Sequence, residues 1–109
     1  MINIKWAENE IRVRMNRNDV ALLLSGEHIF LEMAICPDRP LCFAVRTVDN
    51  QDNKLKLVYT QSTITMLVSR QALLDLEKIL PSRAGIKENW VDYQGKMLAL
   101  VIEVDIKNR

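Results

Sequence analysis

Ile2, Ile4 and Trp6 alternate with Asn3 and Lys5, and Ile11, Val13 and Met15 alternate with Glu10, Arg12 and Arg14. A period of two belongs to a strand with one buried face. The segment therefore predicts a hairpin turning at Ala7-Glu8-Asn9. Asn16 is placed to cap a helix, with Asp19 at the third helical position. Val20, Leu23 and Leu24 supply its apolar stripe, and Gly26 suits its end. A second hairpin follows. Ile29, Leu31, Met33 and Ile35 alternate, Pro37-Asp38-Arg39-Pro40 turns, and Leu41, Phe43 and Val45 return.

The pattern then begins again. Laid over Leu55 to Glu77 without a gap, Ile2 to Leu24 puts Ile4 on Leu57 and Trp6 on Tyr59. It also puts Ile11 on Ile64, Val13 on Met66, Met15 on Val68, Asn16 on Ser69, Val20 on Leu73 and Leu23 on Leu76. Leu55, Leu57 and Tyr59 predict a strand, Thr60-Gln61-Ser62 a turn, and Ile64, Met66 and Val68 the returning strand. Ser69 caps a helix carrying Leu73, Leu76, Ile79 and Leu80, which Pro81 ends. A closing hairpin uses Trp90, Val91 and Tyr93, a turn at Gln94-Gly95, then Leu98, Leu100, Ile102 and Val104. Asp49-Asn50-Gln51-Asp52-Asn53 is wholly polar and sits between the halves. The reading is one domain over 1–109, with two copies of a ββαββ unit at 1–48 and 54–107 joined by the linker 49–53.

This predicts an α+β protein with about eight antiparallel strands and two helices on the outside. Eight strands at about 4.8 Å span roughly 35 Å, and two helices each about 10 Å wide do not cover that. The apolar face is expected to be hidden by curling into a barrel-like sheet or by a second copy.

Composition narrows the class. The chain has 109 residues, 49% hydrophobic and 27% charged, which suits a self-sufficient core. Fifteen basic residues against fourteen acidic ones leave a formal net charge of +1, too little to steer nucleic acid. No apolar run is long enough for a membrane span, and the N-terminus lacks a signal-peptide layout. A cytoplasmic protein is expected. Cys36 and Cys42 flank the Pro37–Pro40 turn and are expected as reduced thiols, with a cross-strand disulfide as the alternative.

The opening strand, Asn9-Glu10-Ile11-Arg12-Val13-Arg14 and the capped helix with Asp19-Val20 resemble an uncharacterised family of short bacterial proteins. Ile64-Thr65-Met66-Leu67-Val68 and the closing run from Leu98 to Asp105 are similar too. That family is a domain of unknown function, so the resemblance implies no activity; Cys36-Pro37-Asp38-Arg39-Pro40 departs from its pattern. A weaker resemblance is to the triphosphate tunnel metalloenzymes. Their acidic-x-acidic-x-basic strand is matched in form by Glu8-Asn9-Glu10-Ile11-Arg12 and by Glu103-Val104-Asp105-Ile106-Lys107. It implies a channel in which Glu10 and Glu103 hold Mg²⁺ or Mn²⁺ while Arg12, Arg14, Lys54 and Lys56 hold phosphate.

Other residues carry less chemistry. His28 beside Glu27 suggests acid–base work, but no motif places a nucleophile near it, and a surface histidine at a helix exit explains it. Trp6, Tyr59, Trp90 and Tyr93 would suit base stacking; the shared repeat position of Trp6 and Tyr59 instead assigns them to the core. Arg12, Arg14 and Arg17 form a basic cluster that Glu8 and Glu10 offset. No catalytic residue and no cofactor is assigned. The expectation is a non-catalytic binding or assembly module, with a protein partner or self-association favoured over a small molecule. The alternative is a metal-dependent tunnel that binds or hydrolyses polyphosphate.

Overall fold

In the computed structural model, residues 2–33, 38, 40–91 and 94–105 are described. Their order is β1 (Asn3–Ala7), β2 (Glu10–Met15), α1 (Arg17–Leu24), β3 (Ile29–Met33), β4 (Leu41–Val48), β5 (Leu55–Thr60), β6 (Thr63–Ser69), α2 (Arg70–Lys78), β7 (Ile86–Val91) and β8 (Met97–Val104). The alternation read from the sequence thus becomes four hairpins and two capped helices. At α1, Asn16 Oδ1 accepts from the Asp19 N–H at 2.8 Å and Asp19 Oδ2 accepts from the Asn16 N–H at 3.0 Å. This reciprocal cap satisfies two donors that the first turn leaves orphaned. At α2, the Ser69 hydroxyl accepts from the Ala72 N–H at 3.3 Å.

The expectation of one curled, all-antiparallel sheet is corrected. The strands form two four-stranded sheets, β1-β2-β8-β7 (sheet A) and β3-β4-β6-β5 (sheet B), and no closed barrel. Each hairpin is antiparallel, but the two central pairs, β2 with β8 and β4 with β6, are parallel. Each sheet thus takes one hairpin from each half of the chain. The middles of β4, β6 and β8 read as near-continuous apolar runs. Leu100, Val101 and Ile102 are buried in succession, as are Phe43, Ala44 and Val45, and Met66, Leu67 and Val68.

The two sheets are assembled by the same rule. The pairing Ile4↔Val13 recurs as Leu57↔Met66, Ile29↔Val45 as Ile86↔Ile102, and Ile11↔Leu100 as Ile64↔Phe43.

One core lies between the sheets. Ile11, Val13, Met15, Leu100 and Ile102 face Phe43, Val45, Leu55, Met66 and Val68 across it. β2, β8, β4 and β6 all run toward one end, where α1 and α2 cross from sheet to sheet and insert Val20, Leu23, Leu73 and Leu76. The helices close this end rather than lying across an outer face. Two bonds fasten them there: the Thr47 hydroxyl donates to the Leu23 carbonyl at 3.2 Å, and Arg70 Nη2 donates to the Leu24 carbonyl at 2.6 Å. A cation at the carbonyl end of α1 also suits its dipole.

Two assignments to the core are corrected. Trp6 is 48% exposed and Tyr59 66% exposed. Both sit on the inward phase of β1 and β5, but these are outermost strands, where the sandwich opens to solvent. Cys36, Tyr93 and Lys107 lie outside the described residues, so the disulfide alternative and part of the second acidic motif do too.

Candidate functional site

The outer face of each sheet is set by strand phase. In β2, Ile11, Val13 and Met15 point to the core, which turns Glu10, Arg12 and Arg14 outward. The β2–β8 register sets Arg12 beside Val101 and Arg14 beside Glu103. Arg12 then grips two carboxylates. Its Nε and Nη2 donate to Glu10 Oε2 and Oε1 at 3.1 and 3.0 Å, and its Nη1 lies 3.0 Å from Glu103 Oε1. The hydrogen bonds from Arg12 hold the Glu10 carboxyl below its ordinary range; partial loss of hydration opposes them, and the charges of Arg12, Lys87 and Lys5 add to them. The same bonds, to Glu10 and then Glu103, push the guanidinium further up.

Of the residues assigned to the tunnel alternative, Glu10, Arg12, Arg14 and Glu103 meet on sheet A. Lys54 and Lys56 are exposed at and beside β5, in sheet B. Lys54 contributes its backbone N–H, which donates to Glu88 Oε1 at 2.7 Å. Glu8 lies in the turn between β1 and β2. A divalent cation on Glu10 and Glu103 would compete with the Arg12 guanidinium for the same oxygens, so this donor set does not fit Mg²⁺ or Mn²⁺ as it stands. Among the described residues, no three His, Cys, Asp or Glu side chains are grouped to hold a metal ion.

His28 is exposed just beyond α1, its ring 6.0 Å from that of Phe30 and tilted by 45°. A polar depression of about 490 Å³ lies where Ser69 caps α2, lined by Asp49, Asn50, Gln51, Arg70, Gln71 and Leu74. The Arg70 guanidinium there is turned to the Leu24 carbonyl.

The outer face of sheet B was not singled out by its sequence. One register row crosses all four strands: Phe30 of β3 beside Ala44 of β4, then Thr65 of β6, then Val58 of β5. It carries no charge, and Phe30 is 60% exposed. The row at matched registers in sheet A is Lys87, Val101, Arg12 and Lys5. Equivalent places thus hold three cations on one sheet and none on the other. A signal for this existed. Phe30, Val58 and Leu67 are apolar at the places where β7, β1 and β2 carry Lys87, Lys5 and Arg14.

Two comparisons bear on identity. A family of unknown function (DUF7009) matches residues 2–108. No curated protein matches the chain. With all but its ends matched, the chain belongs to that family.

Proposed function

We propose that this member of a family of unknown function is a small non-catalytic binding or assembly module of the cytoplasm, working through an outer sheet face. The observation that carries the reading is the contrast between matched rows: Lys5, Arg12, Val101 and Lys87 on sheet A against Val58, Thr65, Ala44 and Phe30 on sheet B. A strand position with no role beyond solvation is expected to carry polar residues in both sheets. Phe30 and Val58, both exposed in one uncharged row, instead suit a face given to contact. No helix among the described residues is long and apolar enough to cross a membrane, which is compatible with a cytoplasmic module.

The proposal includes an origin by tandem duplication, with 1–48 and 54–107 as copies of one ββαββ unit. What supports it is the recurrence of the same pairings in both sheets and the polar linker 49–53 between the halves. On this view each sheet joins one hairpin from either copy, and matched positions diverged between the sheets, the outer row of sheet A kept for solvation and that of sheet B given to contact.

Thermal unfolding in millimolar tripolyphosphate with Mn²⁺, alongside an assay for released phosphate, tests the reading against a polyphosphate tunnel. No shift and no release are expected. A ligand at one hundred times its dissociation constant adds about 2.7 kcal/mol, several degrees in a domain of this size. A shift of that kind that is lost in Glu10→Gln or Lys56→Ala would overturn the reading.

A further inference from the structure

Resting on that reading, we infer that the occupant of the sheet B face is a second copy of this chain, docked about a twofold axis that lies along the row Phe30–Ala44–Thr65–Val58. An axis along this row lays the exposed Phe30 and Val58 each on its own copy, with the buried Ala44 and the half-buried Thr65 between them and no charge anywhere in the middle. It also exchanges the two flanking rows. On one side lie Glu32, Cys42, Thr63 and Thr60. On the other lie Arg46, Leu67 and Lys56, with His28 next to Arg46 by one step beyond the pair Ile29↔Val45. The axis therefore brings Glu32 of each copy over His28 and beside Arg46 of the other, twice by symmetry.

Charge selects this arrangement over its rivals. An axis along the strands would lay Glu32 over Thr60 and His28 over Lys56, leaving the carboxylate without a partner and setting two bases together. The same operation on sheet A would lay Lys5 and Lys87 on their own copies, two like-charge encounters in the middle of the face, with Arg12 already engaged by Glu10 and Glu103 and Glu10 of each copy brought over Arg14 of the other. Sheet B lays an uncharged row on itself where sheet A lays lysines on themselves, which favours sheet B as the isologous face. Four strands by about five residues gives a face of roughly 20 Å by 17 Å, about 340 Å² per copy, below the area of stable specific interfaces and suited only to a weak, transient contact. The dimer is accordingly expected to be reversible and concentration-dependent.

Sedimentation velocity from about 10 µM to 1 mM tests this with paired variants. The native chain is expected to pass from monomer to dimer across the range, and Phe30→Glu to weaken the dimer at least tenfold; Phe30 is exposed, so the variant keeps its core. Glu32→Arg alone and Arg46→Glu alone are each expected to weaken it through two like-charge contacts. Mixed one to one, they are expected to restore dimer, because both contacts between positions 32 and 46 then join opposite charges. A native chain that stays monomeric to 1 mM overturns self-docking and gives the face to a different protein. A dimer indifferent to Phe30→Glu, or a mixture that stays monomeric, overturns this interface. None of these results touches the non-catalytic reading, which fails separately on polyphosphate binding.

Discussion

Phe43 of sheet B, wholly buried, meets the edge of Trp6 of sheet A, the ring centroids 6.2 Å apart and the planes at 88°. This contact joins the two sheets at the side away from α1 and α2. Edge-to-face pairs add about 0.5–1.5 kcal/mol beyond the area they bury. A double-mutant cycle with Trp6→Leu and Phe43→Leu, read by urea unfolding, is expected to give a coupling in that range. Tyr59 holds the place matched to Trp6, but Leu100 holds the place matched to Phe43, so Tyr59→Leu is expected to show no such coupling to Leu100→Ala.

Gly85 precedes β7 with φ near +62°, and a Cβ there would strike the backbone carbonyl of Ile102. Neither the left-handed conformation nor the close approach tolerates a side chain. Gly85→Ala is expected to cost about 1–3 kcal/mol, while Gly26→Ala, with open space at its Cβ, is expected to cost less. Chemical denaturation of the two variants ranks them.

The reciprocal cap of α1 predicts that Asn16→Ala loses about 1 kcal/mol. Asn16→Ser, which keeps an acceptor for the Asp19 N–H, is expected to recover most of it. Melting temperatures of the three proteins check this order.

Arg12 fixes the charge state of Glu10. Because the folded carboxyl is held below its unfolded value of about 4.5, its contribution to stability is present above that value and is lost as pH falls through the lower folded value. Carboxyl NMR titration is expected to place Glu10 below the ordinary range in the native chain. In Arg12→Met it is expected to return upward, with the acid limb of the stability profile becoming shallower.

Local features were legible in the sequence and long-range ones were not. The strand phases of Ile11, Val13 and Met15, and the Asn16–Asp19 cap, are set by neighbours within a few residues, and the sequence carries them directly. The parallel pairing of β2 with β8 has no local signature, since nothing near Ile11 marks Leu100 as its neighbour. Hairpin reasoning therefore yielded one antiparallel sheet. The Arg12–Glu10 pair was visible at a spacing of two, but the Glu103 partner required that register. Trp6 and Tyr59 were given to the core because phase alone does not say which strands are outermost. Ile29, Leu31 and Met33 satisfy the alternation of β3 without Phe30, so its role shows only in its off-phase, outward position.

Backbone amide spectra recorded at about 20 µM and 1 mM test, residue by residue, whether the sheet B face meets its own copy. Concentration-dependent shifts are predicted at Phe30, Ala44, Thr65 and Val58, with Lys5, Arg12, Val101 and Lys87 unmoved. Shifts centred on the sheet A row, or none on either sheet, would contradict it.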